Sequence, residues 1–129
     1  MRDFITSNSL LMMEKSMDFL WTKQAAHMDN ISNAETPGYK VKTVTFEEEF
    51  RNRLRTASRR HVAGRLDTRG LIEESKWTVR EDDEDTRMDG NGVNITEQML
   101  ESVRTAYQMQ YAYRVVSSEI TTLRNVING

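Results

Sequence analysis

Two histidines, a basic block and an acidic run are the residues of this chain with reactive chemistry to offer. His27 has Asp29 close by, and His61 stands beside arginines in RRHV (59–62). A metal site or an acid–base site needs such groups in convergent sets. Here the histidines are scattered, cysteine is absent, and neither a glycine-rich phosphate loop nor a nucleophile–base arrangement is visible. The spacing predicts no enzyme, no metal and no cofactor, with His27 as a polar position in a helical seam. The block RNRLRTASRR (51–60) offers cations to phosphates. Against that, EDDED (81–85) compensates it on the same chain, only Phe50 and Leu54 interleave, and net charge is −2. A solvated surface, or basic-to-acidic pairing within or between chains, is expected rather than nucleic-acid binding.

The more informative spacing is NISNAETPGYK (30–40), which holds Asn30, Asn33, Thr36, the only proline at Pro37, Gly38 and Tyr39. Pro37 disfavours helical geometry at Thr36. Pro37–Gly38 suits the two central positions of a type II turn, because glycine accepts positive φ. Tyr39 adds a flat surface with a hydroxyl. The stretch is therefore a firm helix stop and turn. Asn30 and Asn33 lie three apart, so their amides either cap their own helix or bond a neighbouring subunit.

Two long elements must position this turn. From Leu10 the seam reads Leu10, Met13, Met17, Leu20, Gln24, His27, Ile31, with gaps alternating three and four. Trp21, Ala25 and Met28 widen it on one side. The pattern predicts a helix from about Ser7 to Asn33, roughly 40 Å long, with Ser7 or Ser9 as its cap. Near the other end, Ile95, Met99, Ser102, Ala106, Met109, Tyr113, Val116, Ile120, Leu123 and Ile127 repeat the alternation, flanked by Val103 and Tyr107. A second helix is expected from about Ile95 to Asn128, with Asn94 as N-cap and Glu97 in a capping-box position. DGNG (89–92) before it is turn chemistry.

The middle is different in kind. VKTVTF (41–46) and KWTV (76–79) alternate weakly as strands do. FEEEFRNRLRTA (46–57) suits a short amphipathic helix. Residues 58–92 carry few apolar groups. The expected fold is mainly α: long terminal helices paired as an antiparallel coiled coil, with a loop-rich middle holding a short helix and a small β element. The expected division is a core of 1–33 with 93–129, and an outer segment 34–92. Apolar residues are 37% and charged residues 29%, with mean hydropathy −0.69. Burying both seams stabilises such a hairpin by less than backbone ordering costs. The helices need further helices, from other copies or partners. No run approaches the roughly 20 apolar residues of a bilayer span. The N-terminal stretch lacks the pattern of a cleaved signal, so a cytoplasmic location or signal-free export is expected.

The string NISNAETPGYK resembles the signature of flagellar axial proteins, the rod and hook family, where an Asn-Ile-x-Asn-x-x-Thr-Pro-Gly-Tyr run ends the first helix. Within that family the short chain, Phe46 soon after the signature, RRHV (59–62) and DGNGVNITEQM (89–99) are similar to the proximal, B-type, basal-body rod subunits. The resemblance covers about residues 5–46 and 89–127. Ser32 stands where the family usually has alanine, Gly92 where it often has asparagine, and Asn94 where it often has aspartate. None of these alters helix-ending or capping chemistry.

The resemblance implies a structural subunit secreted unfolded through the flagellar type III export apparatus. It implies polymerisation into a hollow axle in the cell envelope, with other copies, other rod subunits and the rod-to-membrane-ring adaptor as partners. The assembly seam would be Leu10, Met13, Met17, Leu20 and Ile31 with Met99, Val103, Ala106, Met109, Tyr113, Val116, Ile120, Leu123 and Ile127. The alternatives are a sister rod subunit, a small secreted helical-hairpin effector or adaptor, and a cytoplasmic coiled-coil scaffold.

Overall fold

The computed structural model describes residues 8–46, 51–52, 68–82 and 92–129. Its elements run α1 (Asn8–Ser32), β1 (Val41–Thr45), α2 (Thr68–Glu74), β2 (Thr78–Asp82) and α3 (Ile95–Asn128). Of the expected 46–57 helix, Arg51 and Asn52 are helical and Phe46 is not. Phe50, Leu54, Ser7, His61, residues 83–85 and residues 89–91 lie outside the described residues.

The fold is mainly helical, with the two long helices packed against each other. At 25 and 34 residues they are about 38 and 51 Å long. They run antiparallel, as three cross-links along them show. Ser9 Oγ donates to Glu119 Oε1 at 3.1 Å, Gln24 Nε2 to Ser102 Oγ at 2.9 Å, and His27 Nδ1 meets Gln98 Oε1 at 2.8 Å. Ser9 thus ties α1 to α3 from inside the helix, rather than capping it. α3 begins as its sequence suggests: Asn94 is extended, with φ −89 and ψ 101, and its side chain accepts the Glu97 N–H.

β1 and β2 form an antiparallel two-stranded ribbon, with Val44 opposite Val79. β2 begins later than the apolar alternation suggests and runs on into Arg80, Glu81 and Asp82. An exposed outer strand needs no apolar face, and charge on it discourages stray pairing. The ribbon leans on α1 through Phe46, which is buried with its ring 5.3 Å from that of Phe19. α2 packs on α1 as well, through Lys15 Nζ donating to the Glu73 carbonyl at 3.2 Å.

Between the helices the core is small and partly polar. Leu20, Ala26, His27 and Asn30 are buried on α1, and Ser102, Thr105 and Ala112 on α3. The α1 seam faces inward along its length, with Leu10, Met13, Met17 and Ile31 half-buried. On α3 only one line of the apolar repeat does so: Ser102 is buried, and Met109, Val116 and Leu123 are half-buried. The second inward line is Gln98, Thr105, Ala112 and Glu119, one position before the apolar residues Met99, Ala106, Tyr113 and Ile120. Those residues, with Val103 and Ile127, are exposed, Tyr113 to 67% and Ile127 to 73%.

Candidate functional site

The chain leaves α1 through a sequence of local bonds. The Asn33 side chain donates to the Asp29 carbonyl at 2.8 Å, closing the last turn of the helix on itself. The Asn33 carbonyl accepts from the Thr36 N–H, and its side-chain oxygen from the Thr36 hydroxyl. Tyr39 N–H then donates to the Thr36 carbonyl across Pro37–Gly38, and Gly38 has φ +70. A residue with a Cβ is strained at that φ, so the turn itself asks for glycine.

The turn swings Tyr39 and β1 back over α1, and there Asn30 meets them. Its Nδ2 donates to the Lys42 carbonyl at 2.9 Å and to Gln98 Oε1 at 3.0 Å. Its Oδ1 accepts the Lys42 N–H at 2.9 Å and the Tyr39 hydroxyl at 3.2 Å. A primary amide has two donors and two acceptor sites, and all four are used. Asn30 is completely buried. Lys42 faces Glu81 across the ribbon, so the amide covers the other edge of β1 in the manner of one residue of a third strand. Neither of the roles the sequence offers, own-helix cap or neighbour contact, describes Asn30; Asn33 is the one that caps.

Around Asn30 the electrostatics follow from the packing. Gln98 Oε1 already accepts from Asn30, so His27 Nδ1 donates to it, and the buried Nε2 has no hydrogen-bond partner. Lys42 Nζ lies 2.9 Å from Asp29 Oδ2. That hydrogen bond, with the carboxylate's charge, holds the ammonium above the ordinary lysine range. Burial pushes the Tyr39 phenol up, against a smaller opposing pull from Lys42. One cluster therefore joins α1, the turn, β1 and α3. It has the chemistry of a structural clamp. Among the described residues no group of His, Asp and Glu side chains is placed to hold a metal.

The sequence-derived residues separate into two places. Asn30, Asn33, Thr36, Pro37, Gly38 and Tyr39 make the junction, and the cap at Asn94 and Glu97 starts α3 four residues before Gln98. The outward seam residues Met99, Val103, Ala106, Tyr113, Ile120 and Ile127 make a second feature, an apolar face along α3. Trp21 and Met28, both exposed, lie on the corresponding side of α1. Gln98 and Lys42 were not legible as site residues. A glutamine next to a methionine on an apolar repeat, and the main chain of one strand residue, carry no signal of their own.

No family model matches the chain. It is similar to flagellar basal body rod proteins. The flagellar basal body rod protein FlgB of Aeromonas hydrophila is 29% identical over 107 residues, covering 78% of this chain and 77% of that protein. FlgB of Bacillus subtilis is 25% identical over 127 residues, 95% of each chain. The second match spans nearly the whole molecule, so it takes in both long helices and the junction between them. Among the described residues no helix is long and apolar enough to cross a membrane.

Proposed function

We propose that this chain is a structural subunit of the bacterial flagellar basal-body rod, of the proximal, B-type kind, and not an enzyme. The observation that carries the reading is the likeness to two FlgB rod proteins, over 78% of this chain for one and 95% for the other. The exposed apolar face of α3 supports it, because a helix that ends its own packing with tyrosine, isoleucine and valine in water gains by burial against neighbours. The chain is exported unfolded through the flagellar type III apparatus and assembles in the cell envelope. There it contacts other copies, sister rod subunits and the rod-to-membrane-ring adaptor. Residues 1–33 and 93–129 form the coiled-coil core of the axle, and residues 34–92 its outer segment. The Asn30 clamp fixes the direction in which that outer segment leaves the core, so each subunit presents the same outline to the next.

Isolation of flagellar basal bodies from the source cells, followed by mass spectrometry of the rod fraction, tests the reading. The chain is expected in that fraction, and cells lacking it are expected to build no rod and to be non-motile. Normal rods in its absence would overturn the proposal.

A further inference from the structure

The antiparallel register of α1 and α3 builds a face that belongs to both helices. His27 meets Gln98, and Gln24 meets Ser102, along the contact line. One position further along each helix stand Met28 with Met99 and Ala25 with Val103. A step of one residue turns an α-helix by about 100°, and in an antiparallel pair that step carries both helices to the same side. Trp21, seven residues before Met28, and Ala106, seven after Met99, extend the face by two turns. All six residues are exposed, Trp21 to 61%.

The spacing makes this face self-complementary. Trp21 and Met28 lie equally far on either side of Gln24–Ala25, and Met99 and Ala106 equally far on either side of Ser102–Val103. The bond from Gln24 to Ser102 puts those two midpoints opposite each other. A two-fold axis running across the helices at that level lays Trp21 of each copy on Met28 of the other, a favourable thioether–aromatic contact. It lays Met99 on Ala106, a large side chain on a small one. Covering the six side chains removes roughly 500 Å² of surface per copy, about 1,000 Å² for a pair, which is where specific interfaces begin.

We propose that two copies of the chain pair through this face as a closed, two-fold dimer, with Ala25 beside the axis. The same patch serves both copies, so the pairing stops at two. The inference goes beyond the rod reading. Met99, Val103 and Ala106 belong to the α3 face which that reading gives to neighbours, so a paired chain joins a rod only after the pair opens.

The test uses the purified full chain in sedimentation velocity, from about 1 μM to about 1 mM. A monomer–dimer equilibrium is expected, not weakened by added salt because the contact is apolar. Met28→Lys and Val103→Lys are each expected to weaken it about tenfold, with circular dichroism confirming that each variant retains its helix. The chain has no cysteine of its own, so a single introduced thiol reports on its own position. Ala25→Cys is expected to link two copies by a disulfide under mild oxidation, well ahead of Gln108→Cys on another side of α3. A chain that stays monomeric, one that forms open-ended oligomers, or an association indifferent to the two lysines overturns the proposal. So does protection of the Ala25→Cys thiol from reagents in the dilute monomer, since the face would then be covered by the chain's own residues. A dimer of this kind, in a chain absent from basal bodies, would keep the pairing and remove the rod reading. A monomer at every concentration, from a chain present in rods, would do the reverse.

Discussion

The junction around Asn30 and the outer face of α3 have opposite characters. At the junction an amide, an imidazole and a phenol are drawn inside, and the amide's four hydrogen-bonding positions are all used. Along α3, methionine, valine, tyrosine and isoleucine stand in water. A self-sufficient small domain distributes these residues the other way round. The difference separates two tasks. A satisfied buried amide specifies one geometry, because any other arrangement leaves it or its partners unpaired. An exposed apolar face supplies adhesion with little directional preference. The chain holds its shape with the first and has the second available for neighbours.

Substitutions can break that division at either end. The largest effect is expected from Ile120→Asp. Ile120 is about half exposed, so the folded monomer should change by no more than about 0.5 kcal/mol, while incorporation into basal bodies should be lost. Immunoblots of exported protein alongside purified basal bodies would separate the two. Normal incorporation would mean that the outer face of α3 is not adhesive. Next comes Asn30→Leu, which leaves the Lys42 N–H and carbonyl without their partner, while Gln98 Oε1 keeps His27 Nδ1. Each orphaned group costs about 1–3 kcal/mol, so a loss of about 3 kcal/mol in denaturant unfolding is expected. A loss below about 1 kcal/mol would show that the amide is replaceable by water.

Gly38→Val should cost about 2 kcal/mol through backbone strain at φ +70. No atom crowds the position, so the strain is the whole effect, and Gly38→Asn should recover much of it. The smallest change is electrostatic. The folded chain holds the Tyr39 and Lys42 protons to higher pH than the unfolded chain does. Above about pH 10 the unfolded chain releases these protons first, so stability should fall as pH rises. Below that range both groups keep their protons in either state and contribute no slope. Melting temperatures followed upward from about pH 9 would show a decline, shallower in Tyr39→Phe. An identical decline in that variant would assign the effect to Lys42 rather than Tyr39.

Much of this was legible from residue order because it depends on local physics. The two helices follow from three-four spacing, the start of α3 from Asn94, and the turn from Pro37–Gly38. Each is decided within a few residues, by φ, by capping or by periodicity. The face that α3 turns towards α1 was not decided in that way. Apolar content favours Met99, Ala106, Tyr113 and Ile120, yet Gln98, Thr105, Ala112 and Glu119 lie inside. Hydrophobic pattern marks which residues avoid water but not whether the same chain or another one covers them. Cross-helix bonds such as His27 to Gln98 and Ser9 to Glu119 set the rotation.

The sequence by itself determined where the helices run, where the first one stops and that their burial would be meagre. Those properties reside in short-range sterics and in composition. Only the tertiary structure decided that Asn30 binds the main chain of Lys42, and that one apolar line of α3 faces outward while another lies against α1. Each depends on groups at least twelve positions apart in sequence meeting at hydrogen-bond distance or in register. No local pattern encodes such meetings, because the chain must fold before the groups are neighbours.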